Sequence, residues 1–359
     1  MADDPTSRAK EHRPMTIPSD RLLDWTTRLL VEWGFAPDDA AYVAAGLVDA
    51  NLRGVDSHGV IRLPAYRARI DAGLVSPTAV PVVEQRGAVV RIDAAGAQGQ
   101  LAARAAVEAV DAAATAHGVG TVVVRGSAHF GTAGTYARAL AARGKVAMVV
   151  SNSEPGVVPF GGREPLLGTN PFAFAAPTSG EPVSLDMATS TSAMGKVFVA
   201  RAAGTSIPDT WGVDAEGRPT TDPHAVVALL PAGGPKGYGI GFLVEILGGV
   251  LSGAAIASGI GSMYDDFSKP QDVGHWMLAL DAEAFMPLGE LQERMDALVA
   301  EAHAIAPAPG SDEVLVPGEP EERTRRTRLA DGIALPDATV DDLVALGERF
   351  AVPFEGGAR

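Results

Sequence analysis

Two spacings of apolar residues take turns along the chain. From about residue 18 to 33, Leu22, Leu23, Trp25, Leu29 and Leu30 fall on one broad face at helical spacing and predict a helix. A second helix is expected from Asp38 to about Arg53, with Pro37 and Asp38-Asp39 suited to its start and Gly54 to its end. The texture then changes. Segments 87–94, 120–127, 146–153, 172–177, 183–188 and 276–281 read as strands, and several are continuous apolar runs that suit a sheet covered on both faces. Helical stretches over about 100–116, 135–143 and 238–251 alternate with them, which predicts an α/β sheet layer. The helical period returns over 288–304 and, after the proline-rich APAPGSDEVLVPGEPEE, over about 340–350. No internal repeat is present.

The expected organisation follows from that pattern. Residues 1–15 are charged, carry prolines near both ends and read as a disordered terminus. A helical segment spans 16–75, an α/β body 76–284 and a second helical segment 285–359, with the two helical ends packed together.

Composition narrows the function classes. The chain is 47% hydrophobic but only 6% aromatic, so small aliphatic side chains must fill its core. A net charge of −15 argues against nucleic acid and against an anionic membrane surface, since both need clustered Lys and Arg. An anionic small molecule would need its own local cations. The absence of cysteine excludes disulfides, thiolate catalysis and cysteine zinc sites, and fits a reducing compartment. No apolar leader is visible in the first fifteen residues, so the expected location is the cytoplasm. The uncharged stretch 246–264 is long enough to span a bilayer, but its glycines and flanking acids favour a buried helix followed by a loop.

Candidate chemistry sits in a few short stretches. DSHGVIRLPAY (56–66) spaces His58, Arg62 and Tyr66 four apart, so one helical face could present a titratable ring, a guanidinium fork and a phenol. A solvated helix end capped by Ser57 is the alternative. In SAHFG, His129 follows a strand in a loop rich in glycine, where α/β sheets place ligands. Ser153, Thr169 and Asn170 could line a pocket, although turn chemistry explains them as readily. Lys196 and Lys236 stand out in an acidic chain, and Lys236 lies between glycines at a helix start. There is no GxGxxG after a strand, no P-loop, no GxSxG elbow and no HxxH, HxxxH or HExxH, so neither a Rossmann site, a hydrolase triad nor a metal is expected.

Taken in order from about residue 18 to 330, DSHGVIR, GQ at 99–100, SAHFG, VVPFGG, LLGTNPFAFAAP, LDMATS, GKV, SIPDTWGVDAEGRPTTDP, GPKGYG, SMYDD and the APAPG…VPGE tail resemble the malate/L-lactate/ureidoglycolate dehydrogenase family. SIPDTW…TTDP and PAGGPKGYG look most like its ureidoglycolate branch. The resemblance implies a non-Rossmann mixed-sheet cofactor domain flanked by a helical domain built from both chain ends. It implies NAD, or NADP, and a homodimer or higher homo-oligomer with active sites near the subunit interface. The substrate would be a small 2-hydroxy or 2-oxo acid, with ureidoglycolate first and malate or lactate next. The alternative is an NADPH-dependent reductase of 2-oxo acids or of cyclic imino acids such as piperideine-2-carboxylate. The family's acid/base histidine falls on His129 and a second proton-handling histidine on His58. Arg62 looks like the carboxylate ligand, with Ser57 and Tyr66 beside the substrate. Cofactor contacts fall on Ser153, on Asp186, Met187 and Ala188, on Lys236, and on Gly318, Glu319 and Pro320.

Overall fold

The computed structural model describes residues 15–355, so the expectation for residues 1–14 lies outside the described residues, while Met15 already opens a strand. The chain order is β1 (Met15–Ile17), α1 (Ser19–Glu32), α2 (Pro37–Leu52), α3 (Leu63–Asp71), β2 (Val82–Arg86), β3 (Val89–Asp93), α4 (Gly99–His117), β4 (Val119–Ser127), α5 (Ala133–Ala141), β5 (Lys145–Ser151), β6 (Phe172–Ala176), β7 (Val183–Met187), α6 (Met194–Ala203), β8 (Gly212–Val213), β9 (Ala228–Leu229), α7 (Pro235–Val244), β10 (Val273–Asp281), α8 (Leu288–His303), α9 (Glu319–Asp331), β11 (Ile333–Leu335) and α10 (Asp337–Arg349).

The two ends of the chain share one core. β1 pairs antiparallel with β11, and Ile17, Leu22, Leu29 and Leu47 bury against Ile333, Leu335 and Leu343. The Trp25 indole donates to the Val352 carbonyl at 2.9 Å, so its polar tip is satisfied inside that core. Helix α9 has no apolar stripe and was invisible to periodicity. Ion pairs of Arg325 and Arg326 with Glu322, and of Arg323 with Glu313, support it instead.

The central sheet has the order β2-β3-β4-β10-β5-β6-β7. Only β3 and β4 are parallel, so the sheet is mixed and has no run of βαβ units. Register separates its two faces. Val122, Met277, Val149 and Ala173 align in one row, and Ala279, Ala147 and Ala175 in the next; all are buried beneath α4 and α5. These residues are mostly small, which lets the alanine-rich helices approach closely. The opposite rows carry Trp276 with Phe172, and Leu278 with Met148 and Phe174, and these are only half-buried. The apolar runs thus predict two covered faces, but within this chain only one is fully covered.

The 246–264 stretch also differs from expectation. Helix α7 gives way at Glu245 to a π-helical turn over Glu245–Val250. Gly248 and Gly249 are buried, and a Cβ on Gly274 would lie 1.7 Å from the Gly248 carbonyl. Ile246, Val250 and Leu251, however, are exposed rather than buried. Among the described residues, no helix is long and apolar enough to cross a membrane.

Candidate active site

Pairing brings several of the predicted stretches to one edge of the sheet. β10 starts at Val273, opposite Ser127, and its His275 pairs with Ser151. Val150 faces Phe172, which faces Met187. The carboxyl ends of β4, β5 and β7 therefore lie side by side. They carry His129, Ser153 and the Asp186-Met187-Ala188 end of β7 onto a common rim, where open α/β sheets bind ligands.

The 56–66 stretch reaches this rim, but not as the single helix its spacing predicts. Two 3₁₀ turns, Asp56–His58 and Val60–Arg62, are broken at Gly59 before α3 begins. The break has a tertiary cause. A Cβ on Gly59 would lie 2.1 Å from Asn51 Oδ1, the oxygen that accepts the Val60 N–H at 3.0 Å. Asn51 Nδ2 donates to Asp56 Oδ1 at 2.7 Å, so the α2 end and the turn interlock. Arg328 of α9 closes the arrangement from the C-terminal segment, through Asp56 and the Asn51 carbonyl.

His58, Tyr66 and His129 nonetheless meet. The His58 and His129 rings stack with centroids 5.2 Å apart, and Tyr66 Oη lies 2.7 Å from His129 Nδ1. Ser57 Oγ lies 2.9 Å from His58 Nδ1. The Tyr66 hydroxyl, buried, also accepts from Gln100 Nε2 at 2.9 Å, so it faces His129 rather than open solvent. Burial holds the His129 ring well below its ordinary pKa, and the nearby Arg62 guanidinium adds to the effect. Burial and Arg62 lower His58 to about 4. Both rings are neutral at working pH. Burial raises Tyr66 above its ordinary value, so the phenol keeps its proton.

Arg62 is a half-buried guanidinium with no carboxylate within ion-pair distance among the described residues. Its Nε donates to the Ser57 carbonyl at 2.5 Å, Nη1 faces Met263 Sδ at 3.8 Å, and the Tyr264 ring lies 5.5 Å away. The 262–269 loop over it is held from below. Buried Arg69 donates to the carbonyls of Ser262 at 2.8 Å and Lys269 at 3.0 Å, and Glu154 accepts the Met263 N–H at 2.7 Å.

The other predicted residues divide between structural and open positions. Asn170 is buried and structural: it accepts the Ser153 N–H at 3.1 Å and donates to Glu245 Oε2 at 2.9 Å. The Thr169 carbonyl accepts from Thr189, so turn chemistry accounts for it. Asp186 is exposed and accepts the Gly134 N–H at 2.7 Å on Oδ2, while Oδ1 accepts nothing among the described residues. Lys236 is exposed in the first turn of α7 and Lys196 is exposed on α6; neither forms an ion pair among the described residues. Gly318 caps α9 at φ 97°, and a Cβ there would lie 2.7 Å from Ser184 Oγ. Glu319 accepts from Val316 N–H at 2.9 Å and meets His303 at 3.0 Å. Gly318 and Glu319 line a cavity of about 310 Å³ together with Arg53, Arg138 and Ser184; Pro320 lies just beyond it.

Four residues of this rim were not singled out by sequence reasoning. Gln98 and Gln100 contact His129 and Tyr66, Gln271 Oε1 accepts the His129 N–H at 3.2 Å, and Arg328 anchors Asp56. The glutamines flank a signal that was visible. Gly99 must be glycine because a Cβ there would lie 2.4 Å from the His129 carbonyl.

A mixed sheet, with a buried histidine after β4 and an arginine without a carboxylate partner beside it, forms the candidate site of an α/β protein. The chain belongs to the malate/L-lactate dehydrogenase family, whose model matches residues 17–344. It is 37% identical to the ureidoglycolate dehydrogenase (NAD(+)) of Escherichia coli strain K12, over 92% of this chain and 95% of that one. It is 39% identical to the (2R)-3-sulfolactate dehydrogenase (NADP(+)) of Chromohalobacter salexigens, over 86% and 90%. The fold matches the crystal structure of malate dehydrogenase from Entamoeba histolytica with a TM-score of 0.90 at 28% identity, covering 95% of this chain and 99% of that one. The protein is thus an oxidoreductase of the malate/lactate dehydrogenase type.

Proposed function

We propose that the chain moves a hydride between a nicotinamide dinucleotide and C2 of a small 2-hydroxy acid, with ureidoglycolate the first choice and malate or lactate next. One observation carries the reading: a half-buried Arg62 without a carboxylate partner stands beside a neutral His129. An unpaired guanidinium shielded from water is costly unless an anion completes it, and its fork suits a carboxylate.

The residues present fit a dinucleotide. Asp186 has an oxygen open to a ribose hydroxyl, Lys236 is a cation at a helix start with no ion-pair partner among the described residues, and Gly318 lines a cavity of about 310 Å³ with Arg53 and Arg138. Ser153, Met187, Ala188, Glu319 and Pro320 complete the set that would hold it. NAD is the first expectation and NADP the second. When bound, the dinucleotide would supply the hydride chemistry. Arg62 fixes the substrate carboxylate, which orients C2 and prevents it from tumbling. His129 holds the proton of the C2 oxygen, and burial keeps its ring uncharged until substrate arrives. His58 stacks on His129 and, after burial and Arg62, adds to what disfavours charge on that ring.

A homodimer belongs to the same reading. Ile240, Phe242, Leu243, Ile246, Val250 and Leu251 are exposed along α7 and the turn after it, and a second copy of this chain is the occupant that would cover them.

The test is a panel of ureidoglycolate, malate, lactate, sulfolactate, their 2-oxo forms and a cyclic imino acid, each run with both cofactors. A nicotinamide absorbance change on at least one 2-hydroxy acid is expected. Folded protein that is silent on the whole panel overturns the proposal, and activity on the imino acid alone moves it to imine reduction.

A further inference from the structure

We infer that Gln98 and Gln100 act through Tyr66 as positioning residues that hold His129 in the tautomer with hydrogen on Nε2. The inference rests on His129 being the proton-handling group, but it concerns which nitrogen carries the hydrogen before substrate arrives.

The direction of each hydrogen bond in this series follows from the carbonyl at its end. Gln98 Nε2 lies 3.4 Å from the His129 carbonyl oxygen, which can only accept. The Gln98 atom facing it must therefore be its nitrogen. The same nitrogen lies 2.7 Å from the Gln100 side chain, so the Gln100 atom there is its oxygen. The Gln100 nitrogen must then be the atom 2.9 Å from Tyr66 Oη, and Tyr66 accepts from it. Among the described residues the Tyr66 hydrogen has no other acceptor than His129 Nδ1, 2.7 Å away, so it is donated there. Nδ1 accepts, so a neutral ring carries its hydrogen on Nε2. All the intermediate groups are buried, with Gln98 at 1%, Gln100 at 2% and Tyr66 at 3% exposure, so water does not offer competing partners. Gly99 makes the geometry possible. It lets the start of α4 press on the backbone of Ala128 and His129, which brings both glutamines within reach.

The consequence is functional. A resting ring with hydrogen on Nε2 offers a donor to the substrate's C2 oxygen. It is matched to a carbonyl, which can only accept, before it is matched to a hydroxyl that must give its proton away. To serve as a base, the ring must first carry its hydrogen on Nδ1. Tyr66 must then accept from Nδ1 and point its own hydrogen elsewhere.

The test is nitrogen-15 NMR of histidine-labelled protein at pH 8.5 without substrate, with the His129 signals assigned by their loss in His129→Gln. The expected result is hydrogen on Nε2 of His129. Gln100→Glu turns the last links around: a carboxylate accepts from both Gln98 and Tyr66, Tyr66 then accepts from Nδ1, and hydrogen moves to Nδ1. The same variant should weaken binding of oxamate, a 2-oxo-acid mimic, about 10-fold in the presence of reduced cofactor, with cofactor affinity unchanged. Gln100→Met, which lacks both links, should give a mixture of tautomers. Hydrogen on Nδ1 in the natural protein overturns the inference, as does an unchanged tautomer in folded Gln100→Glu. The NMR readout needs no substrate, so an error in the proposed reaction would not be mistaken for an error here.

Discussion

Arg328 grips Asp56 with both arms of its fork, Nη1 at 2.7 Å from Oδ1 and Nη2 at 3.0 Å from Oδ2, across 272 residues of sequence. The pair ties α9, in the C-terminal segment, to the turn that carries His58 and Arg62. It is partly exposed, with side chains 23% and 39% accessible, so its contribution to stability is modest. Its effect on the site is larger, because the turn it holds carries both His58 and Arg62. Arg328→Met is expected to cost about 1 kcal/mol of stability. It should also raise the substrate KM several-fold more than the cofactor KM. Equal changes in both constants would show that Asp56 does not position the substrate side.

His129→Ala should lower kcat by about 10² or more, the usual result of losing a general base. His58→Gln should cost much less, because His58 is neutral and touches His129 by stacking alone. Steady-state kinetics of the two variants decides the assignment: near-natural turnover in His129→Ala would shift the proton role to His58 or to water.

Arg62→Lys keeps the charge and loses the fork. Substrate KM should rise by about 10-fold or more, while cofactor affinity measured by calorimetry stays within about 2-fold, since one arm of a bidentate pair is worth roughly 1.5 kcal/mol. Matching losses in both would remove Arg62 from the carboxylate site.

How far the sequence could be read depended on whether each signal was local. The strands over 120–127 and 146–153 were legible because β4 and β5 carry apolar runs whose alternate residues are buried. Strand β2 was not, because all five of its residues are exposed. Helix α9 was not, because its support comes from ion pairs and not from an apolar stripe. His129, His58 and Arg62 could be named from their motifs, yet their arrangement could not. The break at Gly59 is imposed by Asn51, and the partners of His129 come from Tyr66 and Gln271, 63 and 142 residues away. Such contacts exist only once the chain has closed on itself.

His275 provides a pH dependence of stability with a definite sign. It is fully buried between Ser151 Oγ and Ser127 Oγ, each 2.8 Å away, and stacks on Phe130 at 4.2 Å. Burial lowers it to about 3, from 6.5. Below pH 6.5 the unfolded ring binds a proton that the folded ring refuses, so acid favours unfolding. Above 6.5 the two states bind equally and the dependence vanishes. Denaturant unfolding should show stability falling by up to about 1.4 kcal/mol per unit as pH drops from 6.5 toward 3. His275→Gln keeps a donor and an acceptor without titrating, so its slope over that range should be shallower by about that amount. An identical slope in the variant would mean that His275 is protonated in the folded protein.

The exposed stripe on α7 and its π-helical turn makes the last prediction. Leu243 is 47% exposed, Val250 58% and Leu251 59%, with Phe242 beside them at 45%. Isolated exposed aliphatic residues are ordinary, but this many on one continuous segment form an apolar patch of the kind the proposed dimer would cover. The half-buried Trp276, Leu278 and Phe174 on the open sheet face point the same way. A symmetric dimer that covers such a stripe buries the same patch of both copies, so a charge introduced in one chain is buried twice in the interface. Leu243→Glu and Leu251→Glu together should therefore split the assembly, with two desolvated carboxylates per copy and no counter-ion. Sedimentation should give twice 36.9 kDa for the natural protein at micromolar concentration and the single-chain mass for the variant. A natural protein that sediments as one chain would remove the dimer, whereas a variant that stays dimeric would move the interface away from α7.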